Sequence, residues 1–155
     1  MKNKFYQQMA LLPSDSDAKI ILDLYNKAIE FSLLEEGIGM ASVVMYSYAN
    51  RLQISGKIKE AGHYYAKSLA TYYCPLADIY YIEYLMEAGE PKNLIRHKIQ
   101  ALVENFKSEN FCKFYEVTDP LFHVEKLKNL RENLENIELY KAQKNQGYLR
   151  SEFRY

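Results

Sequence analysis

Two glycines, Gly56 and Gly89, lie 33 positions apart, and each separates two stretches in which apolar residues recur every three or four positions. A large apolar residue stands four positions before each glycine, Leu52 before the first and Leu85 before the second. Recurrence at three and four positions predicts amphipathic helices, and glycine permits the left-handed backbone with which a helix commonly ends. The interval therefore predicts a repeated unit of two antiparallel helices joined by a tight turn.

A weaker copy of this interval lies near the start of the chain. Ser16 takes the place of the glycine. Leu12 stands four positions before it and Tyr25 nine positions after it, just as Tyr65 stands nine positions after Gly56. The repeat positions are therefore separated by 40 and then 33 residues, and periods of this length are typical of helical solenoids. Because one helix pair cannot cover its own apolar faces, three pairs are expected to stack.

Small residues in the stretch GKIKEAGHYYAKSLA indicate where the two helices of the central pair approach each other. We expect Ala49 and Ala61 to be the small partners beside which large side chains insert. Leu52 and Tyr65 are expected to be the large partners. Ser68 is expected to leave room for the next helix pair.

The stretch MYSYANRLQISGKIKEAGHYYAKSLATYYCP resembles a tetratricopeptide repeat, whose pattern is a bulky residue, Leu-Gly, an aromatic residue, Ala-x-x-x-Phe and a proline. The matching residues are the bulky Met45, the pair Tyr48-Ala49, Leu52, the small and aromatic pair Ala61 and Tyr65, and Pro75, two positions late. The resemblance implies an all-α fold, a short right-handed solenoid of antiparallel helix pairs with about three repeat units. Its parts are a degenerate first repeat over 2–41, a central repeat over 42–74 and a degenerate third repeat over 75–106, within one domain over 1–155.

The last part of the chain shows a different pattern. Leu127, Leu130, Leu134 and Ile137 form a narrow apolar seam within a helix expected over 118–145. The seam favours a C-terminal capping helix that covers the last repeat. A two-stranded coiled coil is the alternative, but only about two heptads are present, so a monomer is favoured over a homodimer. Residues 146–155 are expected to be a loose tail.

The 15 tyrosines are the unusual feature of the composition, and six of them are neighbours in pairs: Tyr64-Tyr65, Tyr72-Tyr73 and Tyr80-Tyr81. Adjacent residues on a helix point about 100 degrees apart. One tyrosine of each pair is therefore expected to pack inward while the other faces a neighbour or solvent. Tyrosine suits helix seams and binding surfaces because it joins apolar area to a hydroxyl. Biased codon usage is the alternative explanation for the tyrosine content.

Catalytic and metal-binding patterns are not found in the sequence. His63, His97 and His123 fall on separate predicted helices, and no nucleotide-binding or nucleophile-elbow motif is present. Cys112 and His123 are a conceivable nucleophile and base, without a third residue to orient them. The two cysteines, Cys74 and Cys112, are expected to be free thiols. We expect no enzyme activity, no cofactor and no metal.

The charge balance and the apolar stretches narrow the class of protein. The 20 basic residues equal the 20 acidic ones, which argues against a nucleic-acid partner, because such proteins usually carry a basic excess or stripe. The longest uncharged apolar stretch, Gly37 to Ala49, is too short to span a bilayer, which needs about 20 residues, and the N-terminus lacks the apolar region of a secretory signal. A cytoplasmic protein without a membrane partner is expected.

The resemblance also implies where a partner binds, because tetratricopeptide proteins hold a peptide or a helix in a concave groove lined by the first helix of each pair. The corresponding groove residues here are Val43, Tyr46, Asn50 and Gln53, followed by Leu76, Ile79, Glu83 and Met86. Alternatively, these residues face solvent or the chain's own terminal helix. The hypothesis is a small cytoplasmic adaptor or chaperone that binds one protein, with an immunity protein or a secretion chaperone as narrower forms. A self-associating structural subunit that uses the C-terminal helix, and an unrecognised helical enzyme, are the alternatives.

Overall fold

The computed structural model describes residues 4–12 and 17–145, and within these ranges the chain forms helices joined by short turns, with no strand. The all-α prediction is therefore confirmed. The helices are α1 Lys4–Ala10, α2 Ala18–Phe31, α3 Ile38–Ile54, α4 Ile58–Thr71, α5 Pro75–Ala88, α6 Lys92–Lys107, α7 Glu109–Phe114, α8 Pro120–Glu135 and α9 Ile137–Asn145. The finer prediction of a right-handed solenoid stays a prediction. Ser16 and the tail over 146–155 lie outside the described residues.

Contacts within the chain divide it into two compact units, Met1–Tyr81 and Ile82–Tyr155, with the boundary inside α5. Each unit buries its own set of large apolar side chains. The single domain expected from the sequence stays a prediction.

The two glycines of the interval end their helices in the same way. Gly56 has a φ of 84° and Gly89 a φ of 78°, both in the left-handed region that favours glycine. The amide of the residue after each glycine donates a hydrogen bond to the carbonyl of the large apolar residue, at 2.9 Å to Leu52 and 3.0 Å to Leu85. Each of the two turns is therefore a Schellman motif. The prediction that both glycines stop a helix is confirmed.

The link between α2 and α3 is a π-helical turn, Ser32–Glu36. Asp17 caps the start of α2, and its Oδ1 accepts hydrogen bonds from the amides of Lys19, at 2.7 Å, and Ile20, at 3.4 Å. The turn ends at Gly37, whose φ of 101° again requires glycine. The α-helical geometry of α2 therefore ends at Phe31, and the five residues before Gly37 have π-helical geometry.

The packing of α3 on α4 is the most extensive contact of the first unit. Ala49 of α3 and Ala61 of α4 are fully buried, as the sequence predicts. Tyr65 is buried and donates a hydrogen bond from its hydroxyl to Oε1 of Gln53, at 2.9 Å. The small residues therefore allow two helix backbones to approach, and a large residue fills the space toward the turn.

Two serines bond α3 to α4 at the end away from the Gly56 turn. The Ser68 hydroxyl donates to the carbonyl of Ser42 at 2.8 Å, and the Ser42 hydroxyl lies 2.9 Å from the carbonyl oxygens of both Ser68 and Tyr72. Both serines are buried, so these bonds satisfy polar groups that water does not reach. Ser68, expected to make room for the next pair, contacts the first helix of its own pair.

The second unit is organised by the packing of α6 on α8. The apolar side chains buried on these two helices are Ile95, Ile99, Leu102, Val103, Phe106, Val124, Leu127, Leu130 and Leu134. Asp119 caps α8 through a bond from the amide of Phe122, at 3.3 Å, and Pro120 stands in the first turn. Leu127, Leu130 and Leu134 of the seam are buried, whereas a coiled coil needs an exposed seam. The capping role of this helix stays a prediction.

The final helical region, expected as one helix over 118–145, is divided at Asn136. This residue has a φ of −118° and a ψ of 52°, which lie outside the helical region. Its carbonyl accepts a bond from the amide of Tyr140, at 3.1 Å, so α9 starts immediately afterwards.

Replacing Ala61 by leucine should push α3 and α4 apart, because the Ala61 side chain is fully buried between them. We expect a loss of about 1–3 kcal/mol in the free energy of unfolding, measured by urea denaturation. Ala66→Leu is the matched control, since Ala66 is exposed on the same helix and should change stability by less than about 0.5 kcal/mol. Equal effects of the two substitutions would show that the contact at Ala61 is wrongly assigned.

Candidate functional site

The groove residues expected from the sequence fall into two classes by burial. The half-buried residues are Val43, Tyr46, Asn50 and Leu76, and the buried residues are Gln53, Ile79, Glu83 and Met86. A buried side chain cannot present itself to a partner, so the surface role expected for the second class is corrected.

Neighbouring packing within the fold explains this burial. The side chain of Gln53 accepts the hydrogen bond of Tyr65 inside the α3–α4 contact. Ile79 and Met86 have no exposed surface. Both belong to α5, in which apolar residues lie on most sides of the helix. A helix of this kind is buried on several faces, so its apolar periodicity does not reveal which face is free.

Glu83 forms a buried ion pair in the second unit. Its Oε1 lies 3.5 Å from Nζ of Lys126, and the two residues are only 4% and 7% exposed. Removing two charges from water is costly, and the cost is offset only when the charges stay together. The groove position expected for Glu83 is therefore corrected, because this carboxylate is buried and neutralises a lysine of α8.

Substituting Lys126 by methionine should leave the Glu83 carboxylate buried without its cation. We expect a loss of about 3–5 kcal/mol in the free energy of unfolding, and a much smaller loss when Glu83→Leu is added. Lys128→Met is the control, because Lys128 is exposed and lies 3.8 Å from an exposed carboxylate, Glu125. Its expected effect is below about 1 kcal/mol. A Lys126→Met protein as stable as the Lys128→Met protein would contradict the buried pair.

Three of the expected groove residues share one face of α3. Val43, Tyr46 and Asn50 follow one another by three and four positions, which places them along a single side of a helix. All three are half-buried, and no side chain of α3 beyond Ile38 is fully exposed. We call these three residues, with Gly39 at the N-terminal end of the same face, the α3 stripe.

Two tyrosines that the sequence reasoning did not assign to the site lie beside the α3 stripe. The ring of Tyr80 stacks on that of Tyr46, with centroids 5.9 Å apart and planes at 21°. A Cβ at Gly39 would lie 4.0 Å from Cδ1 of Tyr72, whose side chain is exposed. We call Tyr72 and Tyr80 the tyrosine edge. In the sequence, both residues belong to adjacent tyrosine pairs, and this is the feature by which they could have been assigned to the site.

The adjacent tyrosine pairs differ in how deeply their two members are buried. Tyr65 is buried while Tyr64 is half-buried, as the expectation for adjacent residues requires. Tyr73 is half-buried and donates a hydrogen bond from its hydroxyl to Oδ2 of Asp78, at 2.8 Å. Tyr81 is also half-buried, and its ring centroid lies 6.1 Å from that of Tyr65. In the pair Tyr80-Tyr81 both side chains are half-buried, so neither packs fully inward as expected for one of them.

A cluster of tyrosine rings supports α3 from its opposite side. Tyr48 stacks on Tyr25 with ring centroids 4.1 Å apart, and Tyr64 meets Tyr48 edge-on at 4.7 Å. Burial, followed by the effects of Tyr64 and Glu60, raises the pKa of Tyr48 to about 12. The Tyr48 hydroxyl therefore stays neutral at ordinary pH. Its ring packs against the rings of Tyr25 and Tyr64.

Cys112 and His123 both lie beside Phe106 in the second unit. The thiol of Cys112 donates a hydrogen bond to the Phe106 carbonyl at 3.2 Å, and the His123 ring stacks on the Phe106 ring with centroids 5.1 Å apart. Nδ1 of His123 is buried and has no hydrogen-bond partner among the described residues. A thiol held as a donor to a backbone carbonyl is not arranged as an activated nucleophile.

The environment of His123 disfavours its charged form. Burial is the main cause that lowers its pKa, Lys126 adds to this effect, and Asp119 opposes it. Because the pKa is lower in the folded protein than in the unfolded chain, folding excludes a proton that the unfolded chain takes up. The stability that neutral His123 provides is therefore present above the unfolded value of 6.5 and is lost as the pH falls through the folded value.

Acidification from pH 7.5 to about 5 should lower the free energy of unfolding, and His123→Phe should reduce this pH dependence because it keeps an aromatic ring on Phe106. Denaturant unfolding at several pH values measures the effect. His97→Phe is the control, since His97 is exposed. If His123→Phe leaves the pH profile as steep as His97→Phe does, His123 is not the group responsible.

Groups of three or more potential metal ligands were sought among the described residues, and none was found. Within the same part of the chain, no helix combines the length and the apolar character that crossing a membrane requires. Comparisons with protein-family models, with curated proteins and with solved structures gave no match.

Proposed function

We propose that this chain is a non-enzymatic protein-binding module, a small adaptor or chaperone that holds a segment of one protein partner on the α3 stripe, against the tyrosine edge. The observation that carries the proposal is the half-buried stacking of Tyr46 on Tyr80 along an uncharged face of α3. The tetratricopeptide resemblance of residues 45–75 supports the same assignment, because proteins of that family bind partners through the first helix of a pair. A cytoplasmic location belongs to the proposal.

The chemistry of the α3 stripe is that of an interface centre. Such centres are depleted in charge and enriched in tyrosine, and they carry a few polar groups that fix the partner's position. Val43 supplies apolar area, Tyr46 an aromatic anchor and Asn50 an amide that can both donate and accept hydrogen bonds. Half-burial reduces the cost of ordering these side chains, because their motion is already restricted before the partner arrives.

Self-association is a weaker proposal for this chain. The leucine seam of α8, which a coiled-coil dimer would use, is buried on α6. The proposed partner is therefore another protein, with the chain itself monomeric.

Replacing Tyr46 by alanine tests the proposal. Affinity capture from cells of the source organism is compared for the parent chain and for Tyr46→Ala, with thermal unfolding measured for each protein. Truncating a central aromatic anchor is expected to cost about 2 kcal/mol of binding, or roughly a 30-fold loss of affinity. The unfolding midpoint should shift by only a few degrees, because the ring is half-buried.

Tyr115→Ala is the matched control, because Tyr115 is also half-buried and in contact with aromatic rings, but belongs to the second unit. A protein retained by the parent chain and by Tyr115→Ala, but lost by Tyr46→Ala, supports the α3 stripe. Equal retention by all three proteins would place the binding surface elsewhere. Loss of binding together with a large loss of stability would mean that Tyr46 is part of the core.

A further inference from the structure

We infer that the partner segment on the α3 stripe is uncharged where it lies along the stripe and carries lysine or arginine at the end that reaches the N-terminal end of α3. The inference rests on the proposed function, because it describes the partner that the same surface binds. Its basis is the distribution of charge along α3 and along the turn before it.

The N-terminal end of α3 is acidic and its middle is uncharged. Between Lys27 and Arg51 the only charged residues are three glutamates, Glu30, Glu35 and Glu36. Lys27 is itself paired with Asp23 at 3.0 Å. A segment that follows α3 therefore meets no charge along most of the helix and meets carboxylates at one end.

A hydrogen bond within the π-helical turn holds the carboxylate of Glu36. Ser32 donates from its hydroxyl to Oε1 of Glu36 at 3.1 Å, and its carbonyl accepts the amide of Gly37 at 2.6 Å. Glu35, beside Glu36, is exposed. Carboxylates near the start of a helix interact favourably with the positive end of its dipole. That end carries only about half an elementary charge, so the full negative charges of the glutamates still attract a cation.

Exposed apolar side chains accompany the acids. Leu34 in the turn is 75% exposed, and Ile38 at the start of α3 is 53% exposed. Lysine and arginine have long apolar stems that cover such surface while their charged ends stay in water. The combination of leucine, isoleucine and glutamate therefore fits a basic side chain better than it fits an aliphatic or acidic one.

Basic residues in the same region do not reverse the sign of the charge. The last turn of α4 is beside the first turn of α3, because Ser42 bonds to the carbonyl of Tyr72, and Lys67 is exposed one turn earlier on α4.

Lys4 of α1 is also near the π-helical turn. Its Nζ lies 5.2 Å from the centroid of the Phe5 ring, which contacts the ring of Phe31 at the end of α2. Against Lys4 and Lys67 stand Glu30 and Glu35, both exposed, together with Glu36.

The charge also distinguishes a protein from a lipid surface. Cytoplasmic membrane surfaces are negatively charged and attract basic segments. A surface of exposed leucine and isoleucine bordered by glutamates is repelled by anionic lipid, so a protein segment with a basic end is the occupant that the charges favour.

The test uses a phage-displayed library of random peptides as long as α3. Selection on the parent chain, with removal of phage that also bind the Tyr46→Ala chain, should enrich peptides with an uncharged run and two or more lysines or arginines at one end. One enriched peptide is then synthesised with a fluorescent label, and its dissociation constant is measured by anisotropy. Glu35→Lys should weaken binding at least about fivefold at low ionic strength, and the difference should nearly vanish at high ionic strength.

Glu132→Lys is the matched control, because Glu132 is an exposed acid of α8 in the second unit. It should leave the dissociation constant unchanged. Enriched peptides without a basic end, or equal effects of Glu35→Lys and Glu132→Lys, would overturn the inference and leave the proposed function standing. A failure to enrich any peptide on the parent chain over the Tyr46→Ala chain would overturn both.

Vesicles of anionic phospholipid give the remaining comparison. The parent chain should not sediment with them. Sedimentation that is lost in Leu34→Ser but kept in Leu121→Ser would assign the exposed apolar residues to lipid binding and overturn the inference. These two leucines are closely matched, at 75% and 76% exposure.

Discussion

The close approach of α3 and α4 is the constraint on which the rest of the first unit depends. Two alanines and two serines keep the backbones near each other, and the hydroxyls of Ser42 and Ser68 bond directly to backbone carbonyls across the contact. A larger residue at any of these positions would separate the helices. Because α4 occupies one side of α3 and the tyrosine cluster with α2 supports another, the half-buried residues of α3, among them the α3 stripe, lie on its remaining side.

The sequence predicted the helices and their ends well, because those depend on local chemistry. Gly56 and Gly89 end helices with the same hydrogen bonds, and Ala61 and Tyr65 have the predicted small and large roles. The division at Asn136 was missed, since asparagine is tolerated within helices and its unusual backbone angles depend on the surroundings.

The candidate site was only partly predictable, for a physical reason. Helical periodicity identifies residues that share a face, and Val43, Tyr46 and Asn50 do share one. It does not identify what covers that face. Glu83 was expected in the groove because the resemblance places it on the first helix of a pair, whereas its burial depends on Lys126, a residue far away in the sequence. The tyrosine edge was missed because its members come from the segments that follow α4, and only the fold brings them to α3.

The α3–α4 hairpin makes its defining bonds over short distances along the chain. Tyr65 and Gln53 are 12 positions apart, and Ser42 and Ser68 are 26 positions apart, whereas Arg96 and Glu135 in the second unit are 39 apart. The entropy lost on closing a loop grows with the logarithm of its length, and contacts of low sequence separation accompany fast folding. Closing the loop of the hairpin therefore costs somewhat less entropy than closing the longer loop between Arg96 and Glu135, and the Tyr25 ring of α2 stacks on Tyr48 of this hairpin.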